Sequence, residues 1–402
     1  MSKFRDLTAG VLLSGLSLAC SGGRIVQAKQ DSPQTQRIGS VAVRPGGEPL
    51  RPEWKVAAPS SFKNLTVIPV TSDNYAATDQ FITLDQGLQS GTVTITELGA
   101  DGHTRNLRPG EQADDNAEVN KLSITNRSGK LLVLIAGEIL SGGKQDRIVG
   151  SDCIVKPDNS PMPLDVFCVE HGRWSGGPAF GQSRVATGSV VADGGSHGRS
   201  SESSSGAGSG MNTTEVEVTV SASRSVMALP SVRERAQAKK SQSEVWTKVG
   251  ETADSAGVSL STGALAKVYE DKTVTRDLDQ YEGALRAEVA GKNVVGVIVV
   301  INGRPLSADV FASAALFQSY WPKLLKSYAL EAVSQDKTAK KEQDMAAAGL
   351  FLSRVEGRSS SEGQDGLYRL TEHQSGDDSS FELEYTAMTP PLLVHFNRVV
   401  GR

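Results

Sequence analysis

The sequence predicts an α+β fold: a β-rich N-terminal half, then mixed helices and strands, with a long Gly/Ser-rich insert expected to be disordered. Three observations lead there. Strand-like apolar or alternating runs dominate up to about residue 170. Helical stripes at three-and-four spacing become frequent only after about residue 230. Between them, residues 175–214 are rich in Gly and Ser (GGSHGRSSESSSGAGSG). Strands first and helices later argue against a doubly wound sheet, in which the two alternate throughout.

Residues 1–19 read as an export signal. Lys3 and Arg5 supply a basic start, and Leu7–Ala19 (LTAGVLLSGLSLA) is an apolar run of 13 residues. That is too short to span a bilayer core, which needs roughly 20 residues, but suits a signal peptide. It ends on Leu16-Ser17-Leu18-Ala19-Cys20, which resembles a bacterial lipobox with the usual Leu displaced by one position. Cys20 is therefore the expected lipidation site. Lipid anchorage to the cell envelope follows, facing the periplasm or at the outer membrane; cleavage without lipid would instead give a secreted protein. Losing Lys3, Arg5 and Asp6 with the leader takes +1 from a net charge of -4 and leaves -5. A mildly acidic body gives no electrostatic reason to expect nucleic acid.

Residues 20–60 read as a flexible linker and 61–335 as the α+β domain. Leu65–Val70, Thr92–Leu98, Val119–Asn126, Leu131–Ala136 and Arg147–Val149 are expected strands. Thr83 and Gln86 stand at capping-box spacing ahead of a short helix. Asp152–Lys156 and Leu164–Glu170 flank a Pro-rich turn over 157–163 and read as a hairpin. After the insert, Glu215–Ser223 is another strand. Ser231 and Glu234 form a second capping-box signal before a stripe ended by Gly250. Leu278, Tyr281, Leu285 and Val289 mark a helix. Val294–Ile301 (VVGVIVVI) is a buried strand ending in a tight Asn302-Gly303 turn. Val310–Tyr320 and Lys323–Val333 read as consecutive helices, with Pro322 in the first turn of the second. Residues 336–402 are expected to be a charged helical extension, a Ser/Gly linker over 358–366 and short C-terminal strands.

Charged and special residues are densest from Gly137 to Trp174. Ala136-Gly137-Glu138, Gly142-Gly143-Lys144-Gln145-Asp146-Arg147 and Cys168-Val169-Glu170 with Gly172-Arg173-Trp174 resemble the ARG-and-Rhodanese-Phosphatase-superfamily-associated protein domain. The resemblance continues through Asn293–Phe311 and Trp321–Ala332, over roughly residues 60–335. It implies a bacterial or archaeal domain named for its associations, and it carries no reaction with it.

Glu138, Lys144, Gln145, Asp146, Arg147, Glu170 and Arg173 are the candidate ligand-binding set. An ionised Glu138 beside an apolar strand needs a partner, and Lys144, Arg147 or Arg173 could supply it. Gly142 and Gly143 could also present backbone N–H groups to an anion. The bland alternative is a charged network that locks a loop to the sheet. Cys153 and Cys168 would face each other if the 157–163 loop joined a symmetric hairpin, so a disulfide and two buried thiols are both open. His103, His171, His197, His373 and His395 are scattered without metal-ligand spacing, and no complete Walker loop is present. No metal or cofactor is expected. The leading reading is a domain that binds an unknown protein or small molecule without catalysis. A hydrolase-like enzyme using carboxylates and basic residues of the Glu138–Arg173 region is the alternative.

Overall fold

The computed structural model describes residues 36–37, 50–73, 76–97, 120–172, 179–182, 184–185, 224–335 and 345–401. The export signal, Cys20, Arg173 and Trp174 lie outside them. The fold is α+β, as expected, with a ten-stranded antiparallel sheet, a closed six-stranded barrel and smaller sheets of three and two strands.

The middle of the large sheet is the hairpin Val294–Ile301 and Arg304–Phe311. Its two-residue turn, Asn302-Gly303, has φ of +52° and +75°, which matches the right-handed twist of the flanking strands. The run VVGVIVVI fills both faces of the sheet. Val297, Val299 and Ile301 join the core under the helices, while Val295, Ile298 and Val300 join a second core on the opposite face. Before Gly296 the alternation has the other parity, with Val294 in the first core. The register against Leu65–Thr71 shifts between Val294 and Gly296. A Cβ on Gly296 would lie 2.3 Å from the Asp309 carbonyl oxygen, so the bulge requires glycine there.

One face of the sheet carries the helices Lys272–Leu285 and Ala314–Val333, with Phe317, Tyr320, Trp321, Leu324 and Tyr328 packed into the core. The other face is covered by Trp54, Ala348, Phe351 and Leu352. Ala314–Val333 is one helix, where the sequence suggests two. Pro322 sits inside it, and burial along most of the helix outweighs the lost hydrogen bond. Val310 and Phe311, expected in the first helix, end the preceding strand. The helix starts after Ser313, whose Oγ accepts the Leu316 N–H at 3.1 Å.

The C-terminal strands form part of this sheet and are not a separate tail. Leu392–Val400 pairs with Arg304–Phe311, and Asp378–Tyr385, Tyr368–Ser375 and Arg358–Gln364 follow outward. The expected linker is thus an edge strand. Its Ser-rich residues are almost all exposed, which is why its composition reads as a linker.

The barrel is closed by Arg147–Val149, Asp158–Cys168, Lys121–Asn126, Val93–Glu97, Ala179–Gln182 and Ile139–Gly142. Alternate residues such as Val93 and Ile95, Leu122 and Ile124, and Leu164 and Val166 fill its own core. Ala179–Gln182 lies inside the stretch expected to be disordered, so that expectation is corrected at this point. Pairing on both sides, with Val93–Glu97 and Ile139–Gly142, supplies the backbone partners its composition does not advertise. Residues 186–223, which include most of the insert and the expected strand Glu215–Ser223, are outside the described residues.

The expected hairpin across 157–163 does not form. Asp158–Cys168 is a single strand that pairs with Lys121–Asn126 and Arg147–Val149. Cys153–Val155 pairs instead with Leu131–Leu134, in the three-stranded sheet. Cys153 therefore stands opposite Leu134 and Cys168 opposite Arg147, and both cysteines are free thiols. Burial pushes the Cys168 thiol up to about 11 and raises that of Cys153 further, which leaves both unreactive at neutral pH. The second capping box is also absent. The helix is Pro230–Gln237, with Leu229 at its N-cap, and Ser231 lies inside the first turn with its Oγ unbonded. A separate helix, Gln242–Ser255, runs through Gly250.

Candidate functional site

The Ala136-Gly137-Glu138 motif is a buried turn held from every side. Gly137 has φ +89°, and a Cβ there would lie 2.4 Å from Arg233 Cγ. The Ile135 N–H donates to Glu138 Oε2 at 2.9 Å, and the Ala136 N–H donates to Asp152 Oδ1 at 2.8 Å. Each carboxylate opens a separate ionic cluster.

In the first, Glu138 Oε1 accepts from Lys323 Nζ, which also lies 3.1 Å from Asp85 Oδ2 and 4.5 Å from the centre of the Tyr320 ring. Lys323 comes from the long helix and is 2% exposed. Burial opposes its charge, yet Asp85 and Glu138 hold the ammonium pKa above its usual value. Burial raises the Glu138 pKa, and Lys323 works against that rise. The partner of Glu138 is thus neither Lys144 nor Arg147.

In the second cluster, Asp152 Oδ2 and His395 Nδ1 are 2.6 Å apart, and His395 Nε2 lies 3.3 Å from Asp309 Oδ1. Asp309 accepts from Arg233 at 2.8 and 3.4 Å, from Asn397 Nδ2 at 3.1 Å and from the Tyr328 hydroxyl at 2.5 Å. Burial would raise the Asp309 pKa, but Arg233 and His395 outweigh it and hold the carboxyl well below its usual range. Burial also opposes charge on His395; Asp152 and Asp309 outweigh it and push the pKa up to about 9. With His395 protonated, two carboxylates face two cations, Arg233 and His395, so the cluster is neutral. These groups come from the barrel side (Asp152), the helix Pro230–Gln237 and the large sheet, and they pin the three together.

The Gly142–Arg147 segment is similarly internal. Asp146 accepts from the Gly142 N–H at 3.1 Å and from Ser141 Oγ at 3.2 Å, so its own loop occupies the amide that might have cradled an anion. The Asp146 N–H donates to Glu170 Oε2 at 3.0 Å, and Gln145 Nε2 donates to the His171 carbonyl at 3.5 Å. Lys144 is exposed, and its backbone N–H donates to Glu97 at 2.7 Å. Of the predicted set, Glu138, Gln145, Asp146, Arg147 and Glu170 are at most 6% exposed, Lys144 points outward, and Arg173 is outside the described residues. Among the described residues are surface cavities of about 280, 310 and 470 Å³, and none of these is lined by any of these side chains.

The selection by sequence missed Asp85, Asp152, Arg233, Asp309, Lys323, Tyr328 and His395. The available signal was a charge inside an apolar run: Asp309 in SADVF, Lys323 in WPKLL and His395 in LLVHF.

His395 makes the second cluster pH-dependent. Its folded pKa of about 9 exceeds the ordinary 6.5, so its stabilisation is complete below the lower value and is lost as pH rises through the higher one. That gap corresponds to about 3 kcal/mol. Urea midpoints are expected to fall between about pH 6.5 and about pH 9, and His395→Gln should flatten this slope. Identical slopes in the two proteins would contradict the assignment.

The family model of the ARG and Rhodanese-Phosphatase-superfamily-associated Protein domain matches residues 53–390. No curated protein and no solved structure matches the chain.

Proposed function

The chain belongs to that family, and from this premise we propose that it is an exported, lipid-anchored envelope protein whose α+β domain binds a small ligand or partner without catalysing a reaction. The main support is the burial of Glu138, Gln145, Asp146, Arg147 and Glu170 and the bonds that tie Glu138 to Lys323, Asp146 to Gly142 and Glu170 to the Asp146 N–H. A general acid or base must reach its substrate, and these groups are spent on holding the fold. The cavities lie elsewhere, where their linings can vary without disturbing the lock. The export part rests on the short apolar leader and on Cys20 at its end.

Intact mass analysis of chain recovered from cells tests the anchor. The mature protein is expected to begin at Cys20 with acyl chains attached and to partition with membranes, and Cys20→Ser should release it into the soluble fraction. Recovery of unacylated protein that retains Met1 would contradict the proposal.

A further inference from the structure

The cavity of about 310 Å³ lies between the start of the helix Pro230–Gln237, the helix Gln242–Ser255 and the end of the helix Ala314–Val333. Two features of its lining are unusual. Glu331 is 4% exposed, and its oxygens accept only from neutral donors, the Ser231 N–H at 3.0 Å and Gln335 Nε2 at 3.1 Å. Among the described residues no Lys, Arg or His forms an ion pair with it, although a buried carboxylate ordinarily requires a cation. Glu331 also lies near the C-terminal end of its own helix, where the peptide dipoles disfavour a negative charge. The first-turn N–H groups of Pro230–Gln237 compensate only in part. The second feature is Ser231, which is 9% exposed and lines the same cavity with an Oγ that has no partner.

A buried carboxyl group with no paired cation among the described residues favours a positively charged donor, and the unpartnered Ser231 hydroxyl at the wall of the same cavity can accept a second hydrogen bond from it. Lys248, at the rim, does not supply it, because its Nζ is held by Glu251 at 3.1 Å. A bare metal ion is a poor fit. Glu331 and Glu251 are the lining carboxylates, the lining includes Leu229 and Leu306, and no group of three or more metal-ligating side chains occurs among the described residues.

We infer that this cavity binds a small aliphatic primary amine. Its ammonium donates to Glu331 and to Ser231 Oγ, its carbon chain lies against Leu229 and Leu306, and a second ammonium takes the place of Lys248 Nζ at Glu251. The inference rests on the binding reading proposed above and names the chemistry of its ligand.

Calorimetric titration of the full chain with putrescine, 1,4-butanediol and succinate tests it. The three probes share a four-carbon skeleton and carry positive, zero and negative charge. Saturable one-to-one binding is expected for putrescine alone. Glu331→Gln retains an acceptor for the Ser231 N–H and should weaken putrescine by about tenfold or more. Ser231→Ala, in case the Glu331 variant fails to fold, and Glu251→Gln, at an exposed site, should each weaken it by about threefold to tenfold. Failure of putrescine to bind the folded wild-type chain would overturn the inference, as would unchanged affinity in both Glu331→Gln and Ser231→Ala. Equal binding of butanediol would remove the charge requirement and leave the broader binding reading intact.

Discussion

Lys323→Met is expected to lower the unfolding free energy by about 3–5 kcal/mol, or to prevent folding. Met preserves most of the aliphatic stem, so packing changes little. What is lost is the only cation paired with Glu138 among the described residues, and Glu138 is 1% exposed beneath the turn 135–138. Without Lys323, Glu138 must either stay charged in an apolar setting or bind a proton. Because burial already raises its pKa, removing the ammonium raises it further. The deficit should therefore shrink as pH falls through the altered Glu138 pKa, and grow again above it. Chemical denaturation of both proteins at two pH values measures this. A deficit within about 0.5 kcal/mol, the range usual for exposed sites, would rule out the lock.

Asp309→Asn should have a comparable effect, again about 3–5 kcal/mol, at almost unchanged volume. Asp309 is touched by Arg233, Tyr328, Asn397 and His395 together. Neutralising it leaves the buried guanidinium without its close counter-ion and removes one of the two carboxylates that keep His395 protonated. The His395 pKa should then fall, and the pH dependence of stability between about 6.5 and about 9 should contract. Urea denaturation across pH follows both effects. Lys144→Met is the natural control: that side chain is exposed, and the bond described for the residue uses its backbone N–H. A change of no more than about 0.5 kcal/mol is expected there.

Regular elements were the legible part of the fold. The VVGVIVVI strand, the Asn302-Gly303 turn, the Thr83–Gln86 capping box and three of the six barrel strands follow from local pattern alone. Errors arose where tertiary contacts overrode local signals. Pro322 looks like a helix start until the surrounding core is present, and the Ser-rich edge strand 358–364 looks like a linker because it meets water on nearly all its residues. Ala179–Gln182 is hidden by the composition around it. The hairpin reading failed because nothing in the 157–163 turn indicates that its two arms pair with different sheets. For the site, motif density marks the segment in which Glu138, Asp146, Arg147 and Glu170 are buried, but not the partners that bind it to the rest of the fold. The partners of Glu138 and Asp152 lie 185 and 243 residues away, at Lys323 and His395, beyond the reach of any spacing rule.

Buried charges that hold the fold together must be energetically coupled, and a double-mutant cycle on Glu138 and Lys323 measures that coupling. Urea denaturation of the wild type, Glu138→Gln, Lys323→Met and the double variant yields the coupling between the two groups. The double variant is expected to be more stable than Lys323→Met alone, with a coupling of about 2–3 kcal/mol, because no uncompensated charge remains at position 138. Additive losses in four folded proteins would mean that the two charges act independently, which contradicts the ionic lock.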